Sequence, residues 1–222
     1  MTFVLPVLRS HISQQRRHIS DTGFLGACAV SLAVLTVGVI LNFYSGTYAT
    51  EIAGNFVPDI VLSNTPAFDV DGLFVIGTFV LVIFTVALVL AQLRWLPFTA
   101  ASLGVFYILR ALFVSLTHIG PFPDRVALDW GTIVSKFIGG SDLFFSGHTG
   151  APFLLALIFW KIPVLRNIFL AWSVFFAAIV LLGHLHYSID VLAAFFITYA
   201  IFHIAELLFK KYRAIFNEGI PS

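Results

Sequence analysis

Charge is scarce in this chain. Asp, Glu, Lys and Arg make up 10% of its 222 residues, against about 25% in an ordinary soluble domain. Hydrophobic side chains make up 59%, more than so short a chain can bury in a core of its own. A freely soluble globule is therefore excluded, and lipid must solvate much of the surface. Cysteine is nearly absent: Cys28 stands alone, which excludes an intrachain disulfide. A net charge of +1 gives nothing that suggests a nucleic-acid partner. Internal repeats and low-complexity tracts are lacking, and no carboxylate cluster suggests a catalytic metal or other cofactor.

What the chain does have is long apolar runs, rich in Phe (25 residues, suited to lipid-facing helices). A spanning helix needs about 20 mostly apolar residues. Six runs meet that requirement: Phe24–Tyr44, Leu73–Ala91, Phe98–Thr117, about Phe144 to Ile162, Leu165–Leu182 and Tyr187–Phe209. Each is expected to be helical, because a lone strand cannot satisfy its backbone groups in hydrocarbon. The fold class is thus all-α, a polytopic membrane protein with six transmembrane helices. Pro97 and Pro163 fall in the two shortest connections, where a missing N–H does no harm. One domain is expected over residues 23–210, after a leader (1–22) and before a short tail (211–222).

Basic residues set the expected orientation. Arg9, Arg16 and Arg17, then Arg94, then Lys161 and Arg166, then Lys210, Lys211 and Arg213 all fall on one side of a six-span chain. The other side carries Glu51, Asp59, Asp69, Asp71, Asp124, Asp129 and Asp142, opposed by Arg125 and Lys136. The positive-inside rule places both termini in the cytoplasm and the loops 45–72 and 118–143 outside or in a lumen. The polar, Arg-containing leader precedes a run long enough to span, which reads as no cleavable signal peptide. Thr2–Ser20 reads either as a segment lying on the membrane surface or as an unstructured topogenic leader. Trp95, Trp130 and Trp160 suit membrane interfaces.

Two polar clusters interrupt the apolar sequence. The first runs from Ser141 to Gly150 and contains Asp142, Ser146, Gly147, His148 and Thr149; the second runs from His184 to Val191. With six spans both lie near the outer face, joined by one helical hairpin, so they can meet in space. Ionisable groups at membrane depth are costly and point to function. His186 and Asp190 are four apart, so on one helix they share a face. A carboxylate on one imidazole nitrogen fixes the tautomer and frees the other nitrogen; a helix-end ion pair is the competing reading. Gly147 lets backbone approach a ligand, and free N–H groups at a helix start favour phosphate. For His148 the alternative is a polar helix cap. Arg110 sits about 12 Å inside the third span at helical rise. It either snorkels or binds an anion. Asp142 either orders the loop around His148 or is a solvated loop carboxylate. His118, His184 and His203 read as structural.

These clusters resemble the sphingomyelin synthase family of the lipid phosphate phosphatase superfamily. Its pattern Cys-Gly-Asp-x-x-x-Ser-Gly-His-Thr is met at Asp142, Ser146, Gly147, His148 and Thr149, with Gly140 and Ser141 in place of Cys-Gly. Its pattern His-Tyr-Thr-x-Asp-Val is met at His186, Tyr187, Asp190 and Val191, with Ser188 in place of Thr. An upstream element resembles Arg110, Thr117, Pro121 and Pro123 with one extra residue before the proline pair. The resemblance covers about residues 105 to 200. It implies a metal-independent two-step transfer. His186 attacks the lipid phosphorus, Asp190 orients it, and His148 protonates the departing oxygen and then deprotonates the incoming hydroxyl. Arg110, Asp142, Ser146, Gly147 and Tyr187 are the substrate-binding candidates.

Three function classes compete. One is a head-group transferase, with a phospholipid donor and a ceramide-like lipid alcohol as acceptor, and with phospholipase C-type hydrolysis when water reaches the intermediate. The second is a lipid phosphate phosphatase. The third is a catalytically silent membrane scaffold. Phosphatases of the superfamily usually carry Lys-x6-Arg-Pro and Ser-Arg-x5-His. Here Leu103, Ala111 and Val180 occupy the Lys, Pro and second Arg positions. A phosphodiester needs fewer cations than a monoester, so these substitutions favour the transferase.

Overall fold

The computed structural model describes residues 15–126 and 143–219, and over these the chain is helix, turn and loop with no strand. After the helical residues 15–20, seven further α-helices follow among the described residues: α1 (Thr22–Glu51), α2 (Asp71–Ala91), α3 (Leu96–Leu116), α4 (Gly147–Ile158), α5 (Pro163–Leu182), α6 (Ser188–Leu208) and α7 (Lys210–Glu218). Five of them, α1, α2, α3, α5 and α6, are long and apolar enough to cross a membrane.

Local chemistry explains the helix starts. The Asp21 side chain accepts the Phe24 amide at 2.6 Å and caps α1. Pro97 and Pro163 fall in the first turns of α3 and α5, where no intrahelical N–H bond is lost. The fourth helix departs from expectation. The apolar run from Phe144 to Ile162 predicts a full span, but only 12 residues are helical, about 18 Å of rise. Ser146 caps its start by accepting the Thr149 amide, and at the other end the chain turns at 159–162 before Pro163.

Without water to expel, helices in lipid associate through close packing. One close contact joins α1 and α3, where a Cβ built on Gly38 would lie 2.6 Å from the Gly104 carbonyl oxygen. One built on Gly104 would lie 2.7 Å from the Leu35 amide nitrogen. The phenylalanines, expected mainly at the lipid face, are also the main core filler. Phe98, Phe106, Phe145, Phe159, Phe169 and Phe176 are completely or nearly completely buried, in edge-on and stacked pairs with their neighbours.

The described ends of the chain meet at one end of the bundle. Gln15 bonds to Ala91 and Leu93 across the α2–α3 turn, and Arg94 bonds to Asn217 of α7. Trp95 packs on Phe159 and Phe216, and Arg166 lies over the Trp160 ring. Arg213 stacks on Phe98, Phe202 and Phe216 while donating to the Ile158 carbonyl, so α7 closes this end as a lid on α3, α4 and α6. The two polar clusters lie at the opposite end. Of the expected leader, residues 2–14 lie outside the described residues, as do Trp130 and Lys136.

Candidate active site

The α5–α6 turn builds the first half of the site. The chain turns back at Gly183 and His184, which has φ 52°, and the amides of Leu185 and His186 both reach the Val180 carbonyl. His186 therefore lies two residues before α6 begins, not on it, and shares no helical face with Asp190 as the spacing predicts. Asp190, in the first turn of α6 and fully buried, instead reaches back. Its Oδ2 accepts the Tyr187 amide at 2.9 Å and sits 3.5 Å from His186 Nδ1. The second separation is an ion-pair distance, longer than a hydrogen bond. Asp190 Oδ1 has no hydrogen-bond partner among the described residues. With Nδ1 turned to the carboxylate, Nε2 is the nitrogen left for chemistry.

The start of α4 builds the second half. Ser146 is buried, and its Oγ accepts the Thr149 amide while donating to the Thr149 hydroxyl. The Ser146 amide donates to the Asp190 carbonyl at 3.2 Å, a direct bond between the two motifs. Ser173 of α5 donates to the Thr149 carbonyl at 2.8 Å and fixes the hairpin from behind. His148, one residue into α4, packs its ring on Phe74 of α2 (4.3 Å between centroids) and Phe176 of α5 (5.6 Å).

Arg110 enters from α3. It is 4% exposed, so it does not snorkel to the surface. Its Nε donates to the Phe145 carbonyl at 2.9 Å and its Nη1 to Asn42 Oδ1 at 2.8 Å. A Cβ on Gly147 would lie 2.9 Å from that Nε; glycine is needed there to admit the guanidinium.

Arg110, Gly147, His148 and His186 line one cavity of about 520 Å³. Its polar end also has Asn42 and Arg125. The rest is apolar and runs between α1, α2 and α4, past Leu35, Val39, Leu81, Val82, Val86 and Leu155. Val39, Val82 and Val86 are at the same time 40–52% exposed on the bundle surface, so this slot opens sideways. From Phe74 to Val86 it follows α2 for about 18 Å, roughly half the hydrocarbon thickness of a bilayer.

Of the remaining sequence-based candidates, Ser146 and Tyr187 do not line the cavity, and Asp142 lies outside the described residues. Tyr187 is 1% exposed; its hydroxyl donates to the Gly120 carbonyl at 2.8 Å and accepts the Val57 amide at 3.3 Å. Its ring and hydroxyl thus brace the two loops at this end.

Sequence reasoning passed over three residues. Asn42 is a single amide in an apolar run. Arg125 reads as a lone cation in an acidic loop. Asp59, 8% exposed, clasps the start of α6: its Oδ2 accepts the Ser188 amide and hydroxyl, at 2.8 and 2.7 Å. Its Oδ1 accepts the amides of Val61 and Leu62. Burial alone raises the Asp59 pKa. The bonds from the Ser188 hydroxyl and from the Leu62, Ser188 and Val61 amides outweigh it and hold the carboxyl below its ordinary value. The only local signal for this clasp was a loop aspartate with no basic neighbour.

The described residues thus form an all-helical bundle with membrane-length helices, in which two imidazoles and two guanidiniums line a largely apolar cavity. Residues 139–207 match the family model of the PAP2 superfamily C-terminal domain, a stretch that contains His148, His186 and Asp190 but neither Arg110 nor Arg125. No curated protein and no solved structure matches the chain.

Proposed function

We propose that this protein is a membrane lipid head-group phosphotransferase that works through a phosphohistidine. The reading rests on one observation: His148 and His186 share the cationic end of a cavity whose other end is apolar and open to lipid. An amphiphile with a phosphate head fits that polarity, with the phosphate at Arg110 and one acyl chain along α2.

In the first step His186 Nε2 attacks phosphorus, and the bond from phosphorus to the glycerol oxygen breaks. His148 delivers the proton that lets diacylglycerol leave. Asp190 orients the His186 ring and balances the charge on the phosphorylated imidazole. In the second step the hydroxyl of a ceramide-like alcohol attacks the same phosphorus, His148 takes its proton, and the P–N bond breaks to restore His186. Arg110 neutralises the charge that develops on the phosphoryl oxygens.

Transfer is favoured over hydrolysis by the apolar residues where superfamily phosphatases usually carry cations: Leu103, on the cavity wall, and Val180, fully buried. A second reading, a lipid phosphate phosphatase with water as acceptor, is supported by Arg125 at the cavity's polar end. Mass spectrometry of lipids after incubating purified protein with labelled phospholipid, with and without ceramide, separates the two. Transfer gives labelled phosphosphingolipid only when ceramide is present. Free phosphate released from phosphatidic acid, with no transferred head group, would replace the transferase by the phosphatase.

The proposed orientation has both termini in the cytoplasm and the site on the outer or lumenal face. It is supported by Arg94, Lys161, Arg166, Lys210 and Lys211 lying at the end of the bundle away from the cavity.

A further inference from the structure

The cavity wall changes character along α3 in steps of one turn. Arg110 stands at the polar end. Tyr107 comes three residues earlier, on the same face and about 4.5 Å deeper at helical rise. Leu103 lies one further turn in, and all three line the cavity. On the facing helices, one turn in from Asn42 and from His148, the wall is Val39 of α1 and Ala151 of α4. Two threonines of α2 also line it, but α2 itself takes their hydroxyls. Thr78 donates to the Phe74 carbonyl at 2.7 Å and Thr85 to the Leu81 carbonyl at 2.8 Å. The Tyr107 hydroxyl is different. Half-buried on the cavity wall, it makes no hydrogen bond among the described residues and is not sealed in the core. The side chain itself is fixed at its base. Its Cβ lies 3.2 Å from where a Cβ on Gly38 would stand, so glycine on α1 makes room for it, and Phe106 meets its ring edge-on at 5.4 Å between centroids.

We propose that Tyr107 is a specificity residue, whose hydroxyl hydrogen-bonds the carbonyl or hydroxyl that an ester- or amide-linked lipid carries a few atoms from its phosphorus. This rests on the phosphoryl group standing at Arg110. Along α3 the wall then offers a charge, a hydrogen bond and hydrocarbon, in the order in which such a lipid presents phosphate, backbone and tail. A phenol both donates and accepts. One residue therefore serves a glycerolipid donor, through an ester carbonyl, and a ceramide-like acceptor, through its amide carbonyl or second hydroxyl. A plain alkyl phosphate would displace water from the phenol and return no bond. A site built around a hydrogen bond rejects a ligand that leaves it unmade.

The test is calorimetric titration of the full chain in one fixed detergent with two monoanionic probes. They are the methyl phosphodiesters of a monoacylglycerol and of a straight-chain alcohol of the same overall length. Wild type is expected to bind the monoacylglycerol probe about tenfold more tightly, the ratio that one hydrogen bond to an otherwise unpaired group provides. Tyr107→Phe removes a single oxygen and should bring the two affinities close to equality; Tyr107→Leu should do the same. The ratio is compared between proteins, so partition of the probes into detergent cancels. Equal affinities in wild type would overturn the assignment. So would a ratio kept in folded Tyr107→Phe, including the case in which both affinities fall together, which is what a packing role alone would give. Binding needs no turnover, so the two readings fail separately. A protein that shows the preference and loses it in Tyr107→Phe, yet transfers no head group, refutes the phosphotransferase and keeps the role of Tyr107. One that transfers head groups but binds both probes equally does the reverse.

Discussion

At the scale of single residues, the two imidazoles are distinguished by what stands behind them. His186 has a fully buried carboxylate 3.5 Å from Nδ1, and the His148 ring packs on Phe74 and Phe176. On the proposed reading, the carboxylate behind the His186 ring suits a nucleophile that must carry charge once phosphorylated. His186→Ala should abolish both transfer and hydrolysis, because no covalent intermediate can form. Asp190→Asn should retain the fold and lower the rate by orders of magnitude, through lost orientation and counter-charge. His148→Ala should retain part of the first step with a nitrophenyl phosphodiester, whose leaving group needs no proton, and none with the natural lipid. Rates of the three variants on both substrates, with trapping of acid-labile phosphohistidine, decide the matter. Turnover retained in His186→Ala but lost with the activated substrate in His148→Ala would reverse the two roles.

At the scale of elements, two kinds of contact are at work, and the sequence discloses them unequally. Apolar run lengths announced α1, α2, α3, α5 and α6 because lipid imposes its own thickness on a helix. They overstated α4, because Ser146 caps its start and the chain turns at 159–162 before Pro163, neither of which an apolar run shows. The residue spacing brought His186 and Asp190 together correctly but by the wrong geometry, since a reverse turn and a helix start do here what a helical face would do. Asp59 escaped notice because its partner Ser188 lies 129 residues away, and Arg125 because the cavity it lines is assembled from distant stretches of chain. The α1–α3 contact gives the sharpest element-level expectation. Gly104→Val would force a side chain into the α1 backbone and should cost several kcal/mol, read as a large fall in the detergent unfolding temperature; an unchanged temperature would mean the helices do not approach so closely. The Asp59 clasp makes a prediction with a sign. A carboxyl whose folded pKa is depressed contributes stability that is complete above its ordinary value of 3.8 and is lost as pH falls through the lower folded value. Wild type should therefore lose part of its stability below that ordinary value, while Asp59→Asn should be less stable near neutrality and lack that acid-side component. A variant with an unchanged acid limb would remove Asp59 from the account.

At the scale of the whole molecule, the bundle is divided end from end. One end holds the basic turns and α7, the other the cavity mouth and the acidic loops. In a Cys28→Ser background, cysteine at Ser63 should react with an impermeant thiol reagent applied from outside or from the lumen, and cysteine at Lys211 should not. Both positions are exposed, so labelling of both from one side would refute the proposed orientation.

The cavity walls have a further consequence. Both histidines and the aspartate belong to residues 139–207, the stretch that matches the family model, while both arginines and most of the lipid-facing slot come from α1, α2, α3 and the loop after it, with α4 closing one side. On the proposed reading, reactivity and clientele are inherited on separate stretches of chain. The stretch before residue 139 can drift among apolar residues and acquire a new clientele without relearning its chemistry, whereas residues 139–207 have little room to drift.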